Sequence, residues 1–305
     1  MVRLLDKFEQ SVEVKIIAGC LLQVEIMEDT KKKQIKLIAI DLDGTLFNSD
    51  HVPSQKTKQT LYEAIDAGIQ IVFASGRNRV FMRNLMNDLG IDIPNISSGG
   101  GSVVESKNGD VIYSREVMLD GRVSEIISWA ENHQTGLVCE YLDGSLMWHA
   151  SDQFIKNLEP GIREYLGQSV RSADPEIDFT RPFLKMSMNQ MGQKVYNAEE
   201  MKALFPGLNF VYSGYNCVDL TGNGVDKGSA LTFLANHLGI DLDEIAAIGD
   251  QTNDIPMLKI VGLPIAMGNA ADVVKEHAQW VVPTNDEDGA AWAINEIMSL
   301  NKEIA

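Results

Sequence analysis

The chain's most constraining feature is an apolar run, Ile35 to Ile40, that carries one charge and stops abruptly at Asp41. Such a run is too short for a helix and reads as a buried strand. Residues 54–67 carry Leu61, Ala64 and Ile65 at helical spacing and end in Ala67-Gly68, a helix stop. Ile69 to Ala74 is then a second apolar, β-rich run. Strand, helix, strand implies a right-handed parallel crossover. A helix from about Val80 to Leu89 and a strand near Ile93 to Ser97 continue the alternation, which then fails. It resumes after Gly224, with a helix from about Lys227 to Leu238, a strand Ile245 to Gly249 and a helix from about Asn253 to Ile260. A strand Leu263 to Met267 and a helix from about Ala290 to Leu300 complete it. Between these halves, Val103 to Tyr113 reads as a hairpin around Asn108-Gly109, and mixed strands and helices follow. The expectation is an α/β fold, a doubly wound parallel sheet interrupted by an inserted α+β domain. The core would comprise 34–113 and 213–305 and the insertion 114–212, with 1–33 an N-terminal extension.

The 305 residues are enough for two domains at roughly 100 to 200 residues each, so no disulfide or metal staple is required to fold. A formal net charge of −17 opposes binding to nucleic acid and to anionic membrane surfaces. No stretch approaches the ~18 to 20 apolar residues of a membrane span. Cys20, Cys139 and Cys217 are odd in number and far apart, which suits a reducing, cytoplasmic setting and no structural zinc. Residues 17–20, Ile-Ala-Gly-Cys, mimic a lipoprotein cleavage box, but Glu9, Glu13 and Lys15 break the apolar run that a secretory signal needs.

The placement of polar residues matters more than their number. Asp41, Ser75 and Asp250 each stand where an apolar run ends and a loop begins. In open α/β sheets, ligands bind in the crevice at the carboxyl ends of the strands. Asp41, Asp43, Ser75, Lys227, Asp250 and Asp254 are therefore expected to converge, although a loop Asp taken alone often does no more than make a turn. Converging carboxylates repel one another and call for a cation. An all-oxygen donor set without His or Cys selects a hard ion, and a site with room for water and a phosphate suits magnesium. A phosphate is also what Ser75, the amides of Gly44 and Gly76, and the Lys227 ammonium at a helix start are suited to hold.

The strings D-L-D-G-T-L at 41–46, A-S-G-R at 74–77, G-V-D-K-G at 224–228 and G-D-Q-T-N-D at 249–254 together resemble the four ordered motifs of the haloacid dehalogenase (HAD) superfamily. More narrowly, they resemble its Cof-type branch of sugar-phosphate and other small-molecule phosphatases, over about residues 35–300. The resemblance implies a magnesium-dependent phosphomonoester hydrolase that works through an aspartyl phosphate, with a small phosphorylated metabolite as its partner. Asp41 would be the nucleophile and Asp43 the general acid and base, while Ser75 and Lys227 would hold the phosphoryl oxygens. The metal set would be Asp41, Asp43 through its backbone carbonyl, Asp250 and Asp254. Gly44, Gly76, Arg77 and Asn253 would meet the substrate, Asn253 also orienting outer-shell groups with Asp254. The insertion matches the position of a cap domain that excludes water and selects the leaving group. Glu140, Tyr141, Trp148, His149 and Lys185 have the polar reach to take part, though such side chains often only pack. One departure is visible: where relatives tend to carry Asn-Gly-Ala after the third strand, this chain has Gly100-Gly101-Ser102.

Other readings compete. The stretch from Gly222 to Gly228 is glycine-rich and opens a helix, but its spacing is one residue too long for a dinucleotide fingerprint, and no P-loop is present. A phospho-accepting switch domain would use a similar acidic pocket, yet Asp43 and the insertion argue against it. A catalytically idle relative is disfavoured because every motif carboxylate is present. A phosphosugar mutase using the same intermediate remains the alternative within the enzymes.

Overall fold

The computed structural model describes residues 33–151, 154, 170–192, 194–214 and 216–304. Cys20, residues 17–20 and all but Lys33 of the expected N-terminal extension lie outside them. The first run forms β1 (Leu37–Ile40), buried on both faces because its side chains alternate between two apolar layers. Ile38 and Ile40 point into one layer, with Ile71, Phe73 and Ile248. Leu37 and Ala39 point into the other, with Val72, Ala247 and Leu231. The first layer is closed by helices Gln55–Asp66, Arg79–Leu89 and Gly289–Ile304, and the second by helices Lys227–Leu238 and Ile255–Leu258. This is the doubly wound arrangement the alternation implied.

On one side of β1 lie β2 (Gln70–Ala74), β3 (Asn95–Ser97), β4 (Val103–Glu105) and β5 (Val111–Ser114). A second sheet follows in the chain: β6 (Thr135–Glu140), β7 (Leu146–His149), β8 (Val170–Arg171), β9 (Lys185–Gln190), β10 (Asn209–Gly214) and β11 (Cys217–Thr221). The first sheet then resumes on the other side of β1 with β12 (Ile245–Gly249), β13 (Leu263–Ala266) and β14 (Trp280–Val281). Its order is β14-β13-β12-β1-β2-β3-β4-β5, parallel from β14 to β3 and antiparallel for the β4–β5 hairpin. The chain reverses its winding at β1, so the end of β1 opens into the crevice where such sheets bind ligands.

The second sheet has the order β10-β11-β9-β6-β7-β8. One face carries Leu137, Cys139, Met186, Met188, Val218 and Leu220 against helices Val123–Asn132 and Ala198–Leu204. Alternation puts Lys185, Ser187 and Asn189 on the opposite face, all half-buried. The break expected between 212 and 213 falls inside the antiparallel pairing of β10 with β11. β11 belongs to the second sheet, and the chain returns at 222–226. There the Arg115 guanidinium donates to the Asn223 carbonyl at 2.9 Å, tying the outgoing and returning segments together.

A second difference concerns the helix expected over Asn253–Ile260. The chain instead makes a 3₁₀ turn, Thr252–Asp254, and one helical turn, Ile255–Leu258. Asp254 Oδ2 accepts from the amides of Asp250 and Gln251, both at 2.9 Å, and Pro256 sits at the start of the helical turn. The side chain therefore caps the segment where the pattern suggested continuous helix.

Among the described residues no helix is long and apolar enough to cross a membrane. Cys139 and Cys217 are free thiols, and burial pushes Cys217 up to about 12.

Candidate active site

Four loops meet at the carboxyl end of the first sheet. Asp41 leaves β1, Ser75 leaves β2, Asp250 leaves β12, and Lys227 opens a helix capped by Asp226, whose carboxylate accepts from the Ser229 amide at 2.7 Å. All four functional side chains are buried. Lys227 Nζ donates to Asp41 Oδ1 at 2.5 Å and to Asp254 Oδ1 at 2.6 Å, so one ammonium joins the first and last motifs across 186 and 27 residues of sequence. Carboxylate oxygens of Asp41, Asp250 and Asp254 lie within 4.8 Å of one another.

The charges are unbalanced. Burial pushes Asp41 well above the usual carboxylate range, and the neighbouring Asp254 and Asp250 add to this against the pull of Lys227. Burial, with Asp254, raises Asp250 to about 6, although the Thr45 hydroxyl and Gln251 amide both donate to it. Burial works against the Lys227 ammonium, but Asp254 and Asp41 outweigh it and hold its pKa above the ordinary lysine value. Three buried carboxylates facing one ammonium leave an excess of negative charge that fits a hard cation held by oxygen. Asn253 Oδ1 is also buried and, among the described residues, without a partner. Asp254 is the least available as a metal ligand, because Lys227 and two backbone amides occupy its oxygens.

Gly44 is required by the packing: at φ +81° it lies so close that a Cβ would fall 2.5 Å from Asp250 Oδ2. Ser75 Oγ accepts from the Arg77 amide at 3.2 Å, and space opens beside Gly76. Asp43 turns to the mouth of the site. Both of its oxygens are taken by the Arg77 guanidinium, at 2.8 and 2.6 Å, and that group also lies over the Phe81 ring. The sequence pointed Arg77 toward substrate; here it holds Asp43.

The five insertion residues separate into two groups. Tyr141 is buried in the apolar core of the insertion with its hydroxyl on the Asp178 carbonyl, Trp148 packs against a small cluster with Val138 and Phe154, and His149 faces Glu131 at 3.0 Å. None of these three is joined to the four-loop cluster by a described contact. Glu140 and Lys185 do reach the first sheet, bonding Ser98 and Gly76 respectively. Sequence reasoning missed their supports, Arg79, Ser98 and Asp219. The alternation of Lys185-Met186-Ser187-Met188 assigns Lys185 a face without revealing what lies opposite. The glycine turn noted after β3 lies beneath the insertion: a Cβ at Gly99 would meet Thr221, at Gly100 Lys227, and at Gly101 the Asp226 carbonyl.

This combination of fold and cluster has known counterparts. The profile of the haloacid dehalogenase-like hydrolases matches residues 38–294, and the chain belongs to that family, as a phosphatase of the HAD type. Among curated relatives it is 30% identical over 288 residues to the 5-amino-6-(5-phospho-D-ribitylamino)uracil phosphatase YwtE of Bacillus subtilis, covering 87% of this chain and 99% of the relative. It is 31% identical over 298 residues to phosphatase YwpJ of the same organism, covering 87% and 100%. A crystal structure of a haloacid dehalogenase-like hydrolase from Bacteroides thetaiotaomicron superposes with a TM-score of 0.71 at 28% identity, covering 87% of this chain and all of the other.

Proposed function

We propose that this phosphatase hydrolyses monoesters of small phosphorylated metabolites, sugar phosphates foremost, with magnesium and through an aspartyl phosphate on Asp41. The observation that carries the reading is the Lys227 bridge between Asp41 and Asp254, 2.5 and 2.6 Å long, at the strand ends where Ser75 and Asp250 also arrive. The relative named as a 5-amino-6-(5-phospho-D-ribitylamino)uracil phosphatase supports a small phosphorylated metabolite as substrate.

Asp41, Asp250 and the Asp43 backbone carbonyl are the groups that would hold magnesium. A bound ion supplies positive charge, favouring ionised Asp41 and Asp250 and drawing charge from phosphoryl oxygens. The Asp41 carboxylate attacks phosphorus, and the bond from phosphorus to the leaving oxygen breaks as that oxygen takes a proton from Asp43. Water then attacks the phosphoryl group and gives a proton back to Asp43, releasing phosphate and restoring Asp41. Ser75 and Lys227 hold phosphoryl oxygens throughout. Arg77 orients the Asp43 carboxyl through its two hydrogen bonds. The second sheet serves as a cap over this crevice, limiting water and selecting the leaving group.

The test is release of inorganic phosphate, with magnesium, from hexose and pentose phosphates, nucleotides, flavin mononucleotide, pyridoxal phosphate and phosphoglycolate. Turnover concentrated on sugar phosphates is expected. No release from any compound would remove the proposal.

A further inference from the structure

The turn from Ser75 to Arg79 leaves β2 carrying two groups the chemistry needs, the Ser75 hydroxyl and the Arg77 fork on Asp43. Both ends of this turn are gripped by neighbouring residues of the second sheet. Glu140 on β6 and Lys185 on β9 are register partners. Lys185 Nζ donates to the Gly76 carbonyl at 2.8 Å and to Asp219 on β11 at 3.3 Å. Glu140 Oε1 accepts from the Arg79 amide at 3.2 Å and from the Ser98 hydroxyl at 2.6 Å. The Arg79 guanidinium adds a bond to the Leu142 carbonyl and an ion pair with buried Glu105. One residue of the pair thus holds the carbonyl just before Arg77, and the other holds the amide two residues after it.

Glu140 is a costly choice for a residue that only packs. It is almost wholly buried, and its Oε2 has no partner among the described residues. An apolar side chain of similar size would fill such a position without the desolvation cost. What an apolar residue could not do is accept from the Arg79 amide and the Ser98 hydroxyl together. Lys185 likewise places its ammonium on a backbone carbonyl beyond β2 and on Asp219.

We propose that Glu140 and Lys185 are a positioning pair: with the second sheet seated on the first, they clamp the Ser75–Arg79 turn and so fix the Ser75 hydroxyl and the Arg77–Asp43 fork. The proposal rests on the phosphatase reading and extends it. The two residues act through the turn, so loosening them displaces reacting groups rather than removing one. Displacements of order 1 Å in a catalytic array can cost about 10²-fold in rate.

The experiment compares Lys185→Met, Glu140→Ala, Glu140→Gln and the Glu140→Ala/Lys185→Met double variant in the full chain. The readouts are kcat and KM on a sugar phosphate hydrolysed by the wild type, and hydrogen–deuterium exchange in peptides spanning residues 75–81, with 245–249 as the reference. Lys185→Met and Glu140→Ala should each lower kcat by about 10- to 100-fold while KM moves less than about threefold, and exchange should quicken at 75–81 alone. The double variant should be little worse than the more damaged single variant, since both release one turn. Glu140→Gln keeps an acceptor at Oε1 and should retain most of kcat. A rise in KM at unchanged kcat would overturn the proposal and make these residues direct leaving-group contacts. Unchanged exchange at 75–81, or a Glu140→Gln variant as damaged as Glu140→Ala, would also overturn it. Should Glu140→Ala fail to fold, Lys185→Met with Lys185→Arg as its rescue carries the same test. If the wild type hydrolyses none of the panel, the phosphatase reading falls, and the exchange comparison alone decides the clamp.

Discussion

The two sheets handle polar residues in opposite ways. The first is covered by helices on both faces, so β1 and β12 are apolar throughout and the polar groups collect at one end, where Asp41 and Asp250 emerge. The second packs its main apolar layer against helices on one face, and its strands alternate, sending Lys185, Ser187 and Asp219 to the other face. An end concentrates charge into a single point, as chemistry requires. A face spreads it over a surface, as contact with the first sheet requires. Changes at the end should therefore abolish turnover whatever the substrate, whereas changes on the face should grade it.

The most severe break is Asp41→Asn, which removes the proposed nucleophile. Neither turnover nor a phosphoryl adduct should be detectable by phosphate release and intact mass. Removal of divalent ions follows: chelator should abolish activity, magnesium should restore it, and calcium should inhibit because a larger ion with more oxygen ligands disturbs the in-line geometry. Full activity in excess chelator would contradict the charge imbalance at Asp41 and Asp250. Asp43→Asn comes third. It should slow alkyl phosphates by about 10² to 10⁴ in rate while p-nitrophenyl phosphate, whose leaving group needs little protonation, still phosphorylates the Asp41 peptide. Wild-type rates on alkyl phosphates in that variant would remove Asp43 from the mechanism.

The smallest effect belongs to the face. Burial holds Glu140 above its ordinary value of 4.5, with Lys185 and the Ser98 hydroxyl opposing. The native state therefore binds more protons than the unfolded chain between the two values. Stability is greatest below the unfolded pKa and is lost as pH rises through the folded one. Melting temperatures of the wild type should fall relative to Glu140→Gln as pH is raised from about 4 to about 8. A constant gap between the two proteins across that range would show that Glu140 is not perturbed.

The end of the first sheet was far more legible in the sequence than the face of the second. β1 stops at Asp41 within one residue, and D-L-D-G-T-L even contains Thr45, the hydroxyl that bonds Asp250. Strand ends are local signals, and the parallel topology brings them together without further instruction. The Arg77–Asp43 pairing spans 34 residues and depends on how the two loops turn, which no periodicity records. Lys185 and Glu140 were visible as polar residues with reach, but their grip on Gly76 and Arg79 comes from docking one sheet on another. The segment after Asp250 misled for a different reason: one oxygen of Asp254 accepts from the amides of Asp250 and Gln251, and the chain there makes a 3₁₀ turn before a single helical turn.

The bond between Arg115 and Asn223 has an architectural meaning of its own. The chain departs and comes back through adjacent points, so the second sheet is a cassette whose covalent links to the first lie side by side. Closing a short loop there would add little entropy cost to a framework whose strand order does not pass through the cassette. A lineage, or an engineer, can exchange the cassette for one of another shape and leave Asp41, Lys227 and Asp250 where they stand.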